Sequence, residues 1–236
     1  MVIDIPKDCT NPLEKFPYEY PAKVKLRSYS PPGRGHAGQI KKAVDELLAA
    51  KRPVIYAGGG VVQGNAAGLL TDLVRSLGYP CTNTLMGLGA YPGSDPQFIG
   101  MLGMHGTYEA NMAMHHSDVI LAVGARFDDR VTNNTAKFCP SAKIIHIDID
   151  PAEIGKIRHA DVPIVGDARE VLLDLLPAFE AAAAETAPDI VDWWKRLETL
   201  RTQYPLGYVD DPDDGLLAPQ AVIEAIGKIS GPEAVY

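Results

Sequence analysis

The sequence predicts an α/β domain, a parallel sheet with helices on both faces. Three observations predict it. Short, unbroken apolar runs at 53–57, 118–124 and 143–148 have the length and composition of strands buried on both sides. Segments with apolar residues at helical spacing separate them, so strand and helix alternate along the chain. Glycines and acids gather where the runs stop, as they do in sheets that hold ligands outside the carboxyl ends of their strands.

The elements follow in order. Residues 9–35 carry Pro12, Pro17, Pro21, Pro31 and Pro32 with Gly33 and Gly35, the composition of an extended linker. An amphipathic helix is expected over 38–50, with Ile40, Val44, Leu47 and Leu48 on one face. A strand over 53–57 runs into Gly58-Gly59-Gly60. A helix over 65–77 is closed by Gly78, where a left-handed residue ends the turn. Further strands are expected over 80–85, 118–124, 143–148 and 162–165, with helices over 107–116 and 168–184. The sheet should hold about six strands within a domain spanning 36–185. The stretch 186–218, polar and rich in Pro and Asp after Trp193-Trp194, suits a helix and linker leaving that domain. A last helix is expected over 219–227. Both ends resemble interrupted elements, a strand beginning at Met1 and another starting at Ala234.

Composition narrows the function. The net charge is −8 with no basic cluster, which argues against electrostatic binding to nucleic acid or to an anionic membrane. No apolar run approaches the ~20 residues that span a bilayer. Cys9, Cys81 and Cys139 are widely spaced with no CxxC, so reduced thiols in a cytosolic-type compartment are expected.

The chemistry is expected at the strand ends. Gly58–Gly60, Thr84-Leu85, Gly124–Asp128, Asp148–Asp150 and Gly166-Asp167 offer close backbone approach and acids that accept from ribose or ribityl hydroxyls. The glycine run is not the dinucleotide fingerprint, since Gln63 stands where the third glycine belongs. Plain tight turns are the alternative. Gly100, Gly103 and Gly106 lead into a helix start, a place for an anion or simply for tight packing. His105 has no ligating partner at helical spacing and His115-His116 have no acid between them, so no metal site is expected. Arg126 and Arg130 flank two aspartates, a solvated face or a pair of arginines for phosphate or carboxylate. No nucleophile elbow, P-loop or paired carboxylates occur, so no residue of this chain is expected to act catalytically by itself.

Four motifs carry a family resemblance: Leu85-Met-Gly-Leu-Gly89, Met101-Leu-Gly-Met-His-Gly-Thr107, Val123-Gly-Ala-Arg-Phe-Asp-Asp-Arg-Val-Thr132 and His146-Ile-Asp-Ile-Asp150. Together they resemble the central, Rossmann-like domain of the acetohydroxyacid synthase (acetolactate synthase) catalytic subunit, a thiamine-diphosphate enzyme. Residues 2–8 resemble the last strand of that family's pyrimidine-binding domain, and 219–236 the opening of its pyrophosphate-binding domain. The resemblance implies FAD across the strand ends. Its contacts would be Gly59, Thr84 and Leu85; Leu102, Gly103, Met104 and His105; Gly124, Ala125, Arg126, Phe127 and Asp128; and Asp148, Ile149, Gly166 and Asp167. Arg130 resembles the family's arginine for the second 2-ketoacid, and Met104 lines the same channel. Thiamine diphosphate and Mg²⁺ would be held by the other two domains. The resemblance further implies a homo-oligomer, with a regulatory small subunit as a further partner, in the cytoplasm. The parent would condense pyruvate with pyruvate or 2-ketobutyrate, and this stretch by itself would be inactive. A free-standing nucleotide-binding module of the same fold is the alternative.

Overall fold

The computed structural model describes residues 4–15, 17–20, 22–23, 32–185, 188–209, 215–231 and 234. The chain divides into two compact units, Met1–Ser30 and Pro31–Tyr236. Of the strand expected at the start, residues 1–3 lie outside the described residues, 4–6 are irregular, and Lys7–Thr10 form a 3-10 turn. The strand expected at 234 likewise falls mostly outside them.

The second unit is built on six strands, β1 (Pro53–Ala57), β2 (Cys81–Asn83), β3 (Phe98–Met101), β4 (Val119–Val123), β5 (Lys143–Asp148) and β6 (Val162–Val165). All pairs are parallel, in the order β3-β2-β1-β4-β5-β6. This is the doubly wound arrangement, in which the winding reverses between β1 and β4. Every residue of β1 and of β4 is buried. Successive strand residues point to opposite faces, so unbroken burial means that both faces are covered.

The helices are α1 (Ala37–Ala49), α2 (Gly59–Gln63), α3 (Ala67–Leu77), α4 (Tyr108–His116), α5 (Asp129–Thr132), α6 (Ala168–Ala183), α7 (Val191–Gln203) and α8 (Pro219–Ser230). Helices α1 and α3 pack against α6, while α4 packs against α7. Gly78 takes the left-handed conformation, φ 69°, that ends α3. Thr107 caps α4 and Asp167 caps α6, each accepting from backbone N–H groups of the first turn.

Several elements depart from the sequence reading: the short helices α2 and α5 were not expected, and of the strand expected over 80–85 only Cys81–Asn83 forms, with Leu85–Gly87 a 3-10 turn. The edge strand β3 has no signature of its own. It is four residues long and half-buried, and its Gly100 stands at φ 92° against the Thr107 side chain. Helix α7 does not lead away from the sheet. Trp193 is buried and its indole N–H donates to Pro53 O at 3.0 Å, while that of Trp194 donates to Gly78 O at 2.8 Å. Arg201 ties the far end of α7 to α4 and β3, reaching Glu109 at 3.0 Å and the carbonyls of Pro96 and Phe98. Burial pushes the Glu109 carboxyl up even beside this guanidinium.

Trp193→Phe keeps the ring but leaves the Pro53 carbonyl unpaired. It should cost about 1–3 kcal/mol and lower the melting temperature by roughly 2–10 °C. Thermal melting followed by circular dichroism checks this, and an unchanged transition would mean that α7 is not part of the cooperative unit.

Candidate functional site

At the β1/β4 reversal the chain leaves neighbouring strands in opposite directions, which opens a crevice at their carboxyl ends. Its floor is backbone. Gly58 N donates to Val123 O at 2.9 Å and Gly60 N to Gly124 O at 3.1 Å. A Cβ on Gly58 would lie 2.1 Å from Gly124 O, and one on Gly60 2.7 Å from Gly124 Cα. Gly124 itself has φ 58°, and a Cβ on Gly87 would meet Ala57 O at 2.5 Å. These glycines are explained by turns pressed against one another. The result is a floor without side chains, reached from solvent.

The turn after β4 is anchored from below. Phe127 is left-handed, φ 56°, and only 1% exposed. Its ring meets Tyr56 edge-on at 5.4 Å and His146 at 5.1 Å. His146 Nε2 lies 2.9 Å from Ala125 O. A carbonyl only accepts, so Nε2 carries the proton and donates, which leaves Nδ1 as a bare acceptor. That Nδ1 is buried with no partner among the described residues, and burial holds the ring's pKa below its ordinary value. The side chains of Phe127, Ala125 and Leu102 therefore belong to the core. The Ala125 and Arg126 amides find no acceptor among the described residues.

Charge sits on the rim. The exposed Arg126 guanidinium pairs with Asp128 at 2.7 Å. Asp128 also caps α5, and the hydrogen bond from Arg130 N–H is the first reason its carboxyl stays below the usual range. Thr84 Oγ1 accepts from Gly87 N, Asp148 from Asp150 N, and Asp167 from the amides of Arg169 and Glu170. These three side chains already shape their own loops. Leu85 and Met104 are 68% and 66% exposed, with Met86 and Ile149 also open to solvent. His105 is exposed too, whereas Gly166 is buried, its N–H donating to Asp148 O.

The strand-end loops form one continuous edge. A Cβ on Gly59 would stand 3.2 Å from Met86, and one on Gly64 3.6 Å from Asp167 Oδ2. Met104 N donates to Arg130 O at 3.2 Å, which joins the 101–106 loop to the one carrying Arg126 and Arg130. Three contributors escaped the sequence reading: Met86, His146 as the turn's anchor, and Asn111, whose amide grips Gly103. The exposed apolar pair Leu85-Met86 after a strand is the one signal that marked any of them. Among the described residues no group of three or more His, Cys, Asp or Glu could hold a metal ion. No helix is long and apolar enough to cross a membrane, again among the described residues.

Residues 40–175 match the family described as thiamine pyrophosphate enzyme, central domain. The chain is 49% identical over 235 residues to the acetolactate synthase isozyme 3 large subunit of Escherichia coli (strain K12), covering 99% of this chain and 41% of that protein. It is 48% identical to the acetolactate synthase large subunit of Haemophilus influenzae, covering 99% and 40%. It is 47% identical to the acetolactate synthase of Mycobacterium leprae, covering 100% and 37%. The chain thus spans about two fifths of the length of these relatives.

The buried ring of His146 generates a pH dependence. The folded state favours the neutral imidazole, so its contribution is complete above the unfolded value of about 6.5 and is lost as pH falls below it. Urea unfolding of the wild type should show a steeper loss between about pH 7 and pH 5 than that of His146→Gln, by up to about 1.4 kcal/mol per pH unit. Equal slopes would mean that the ring is not held neutral by the fold.

Proposed function

This chain belongs to the thiamine pyrophosphate enzyme family through its central domain, and from that premise we propose that it is the FAD-holding middle domain of an acetolactate synthase. One observation carries the reading: the glycine-floored crevice is edged by the two motifs, Met101–Thr107 and Arg126–Arg130, that bear the resemblance to that enzyme. The names of the relatives support it, since each is an acetolactate synthase or its large subunit.

The residues fit a flavin nucleotide. The Ala125 and Arg126 amides, without an acceptor among the described residues, would supply donors at the end of β4. Exposed Leu85 and Met104 offer apolar surface for ring faces. Gly59, Thr84, Gly103, Gly124 and Asp128 would complete the inner contacts, with Leu102, Ala125 and Phe127 contributing backbone. His105, Asp148, Ile149, Gly166 and Asp167 would extend the site along the edge. Arg126, exposed beside its aspartate, would meet phosphate. In the resemblance on which this rests, the FAD undergoes no net redox chemistry. Thiamine diphosphate with Mg²⁺, held by other domains of the parent, supplies carbanion stabilisation when bound.

The proposal extends to the whole protein. The parent condenses pyruvate with pyruvate or 2-ketobutyrate, Arg130 and Met104 facing the second ketoacid. The middle domain spans 36–185 with α7 packed onto it, the parent is a cytoplasmic homo-oligomer, and a regulatory small subunit is a further partner. The present chain carries no Gly-Asp-Gly sequence of the kind that holds the metal in the family's third domain.

Two outcomes test this. Titration should show FAD bound by the purified chain, and Arg126→Ala should weaken it by roughly 10–100-fold, the worth of a charge-assisted contact. Arg130→Ala should leave FAD affinity nearly unchanged, and an equal loss in both variants would refute the division of labour. Second, the chain supplied with thiamine diphosphate, Mg²⁺ and pyruvate should form no acetolactate. Product above a host-enzyme control would show that the missing chemistry resides here after all.

A further inference from the structure

We propose that Asn111 is a positioning residue that sets the 101–106 loop against the loop carrying Arg130. Its carboxamide pairs with both backbone groups of one residue, Gly103. Gly103 N donates to Asn111 Oδ1 at 2.9 Å, and Asn111 Nδ2 donates back to Gly103 O at 3.1 Å. Only one orientation of the amide satisfies both bonds, so the pairing is specific to Asn.

The grip adds to a turn inside the loop, in which Gly106 N donates to the same Gly103 O at 3.0 Å. Thr107 secures the base, its N–H donating to Met101 O, and its hydroxyl donating to Ile99 O and accepting from Ala110 N. The tip joins that base through the Gly106–Gly103 turn bond and is held further by Asn111. Gly103 has φ 102°, and a Cβ there would lie 2.9 Å from Arg130 O, so the loop is already in close contact with its neighbour. Met104 N then donates to that same Arg130 O. A continuous connection therefore runs from α4 through Asn111 and Gly103 to the backbone of Arg130. Met104 is largely exposed, and no burial aims its side chain.

The functional meaning of this grip rests on the flavin reading above, but the grip itself does not. Asn111→Ala removes both bonds, and the better helix propensity of Ala within α4 offsets only part of that loss, so a modest fall in global stability is expected beside a larger local one. Amide exchange by NMR should then show Gly103 and Met104 exchanging at least about tenfold faster while amides of the central strands change far less, and FAD should bind roughly tenfold more weakly. Asn111→Asp separates positioning from bulk. At about pH 7 its carboxylate accepts from Gly103 N but opposes Gly103 O, and it should behave like the alanine variant. Lowering the pH to about 5 begins to protonate it, restores a donor, and should bring both readouts back toward wild type measured at the same pH. Unchanged exchange in Asn111→Ala, or an Asn111→Asp to wild-type ratio that does not move with pH, would overturn the proposal. If the exchange responds as expected while the wild-type chain fails to bind FAD, the flavin reading falls and the grip stands.

Discussion

Everything at the carboxyl edge depends on two turns meeting backbone to backbone. Where β1 and β4 end, Gly58 and Gly60 press on Gly124 so closely that no side chain fits between them. The contact is held by hydrogen bonds from Gly58 to Val123 and from Gly60 to Gly124. Gly124 is at once the neighbour of β5, donating to Ile147 O. Three central strands therefore end in one hydrogen-bonded seam. A single added methyl would have to displace main chain, which proteins accommodate poorly.

The seam explains how the site is organised around it. With no side chain available from the glycines, recognition must come from backbone amides and from residues on the rim. The β4 turn is accordingly built to hold its amides in place. Phe127 accepts a left-handed backbone, a conformation that costs energy in a non-glycine residue, because its ring is locked between Tyr56 and His146. His146 adds the bond to Ala125 O from beneath. The rim is less constrained: Leu85, Met104 and Arg126 are exposed, and the Arg126–Asp128 pair, open to water, adds little to stability.

The opposite end of the sheet shows the same economy of means. The start of β1 has a carbonyl, Pro53 O, taken up by the Trp193 indole, and the end of α3 has another, Gly78 O, taken up by Trp194. Glu109 and Arg201 then bind α4 to α7 through a largely buried pair. Pairs of this kind favour one arrangement of helices over others, because neither charge is easily left alone.

Strands β1, β4, β5 and β6 and helices α1, α3, α4 and α6 were legible in the sequence, because each buries a continuous or periodic apolar pattern of its own. The strand-end residues were legible too, from their place after those runs. Edge strand β3 was not, since Gly100 breaks its pattern and its support comes from Thr107 and β2. Nor was the inward packing of α7, whose polar composition hides two indoles that find carbonyls 116 and 140 residues away. The glycines looked like room for a ligand, yet Gly58, Gly60 and Gly124 turn out to make room first for each other. Local patterning determined which segments would be strand or helix and which residues would stand at the strand ends. Only the tertiary structure decided that Phe127 faces inward, that His146 supports the turn and that Asn111 holds Gly103. Each of these rests on contacts between residues distant in sequence or on one exact peptide geometry, which spacing and composition do not encode.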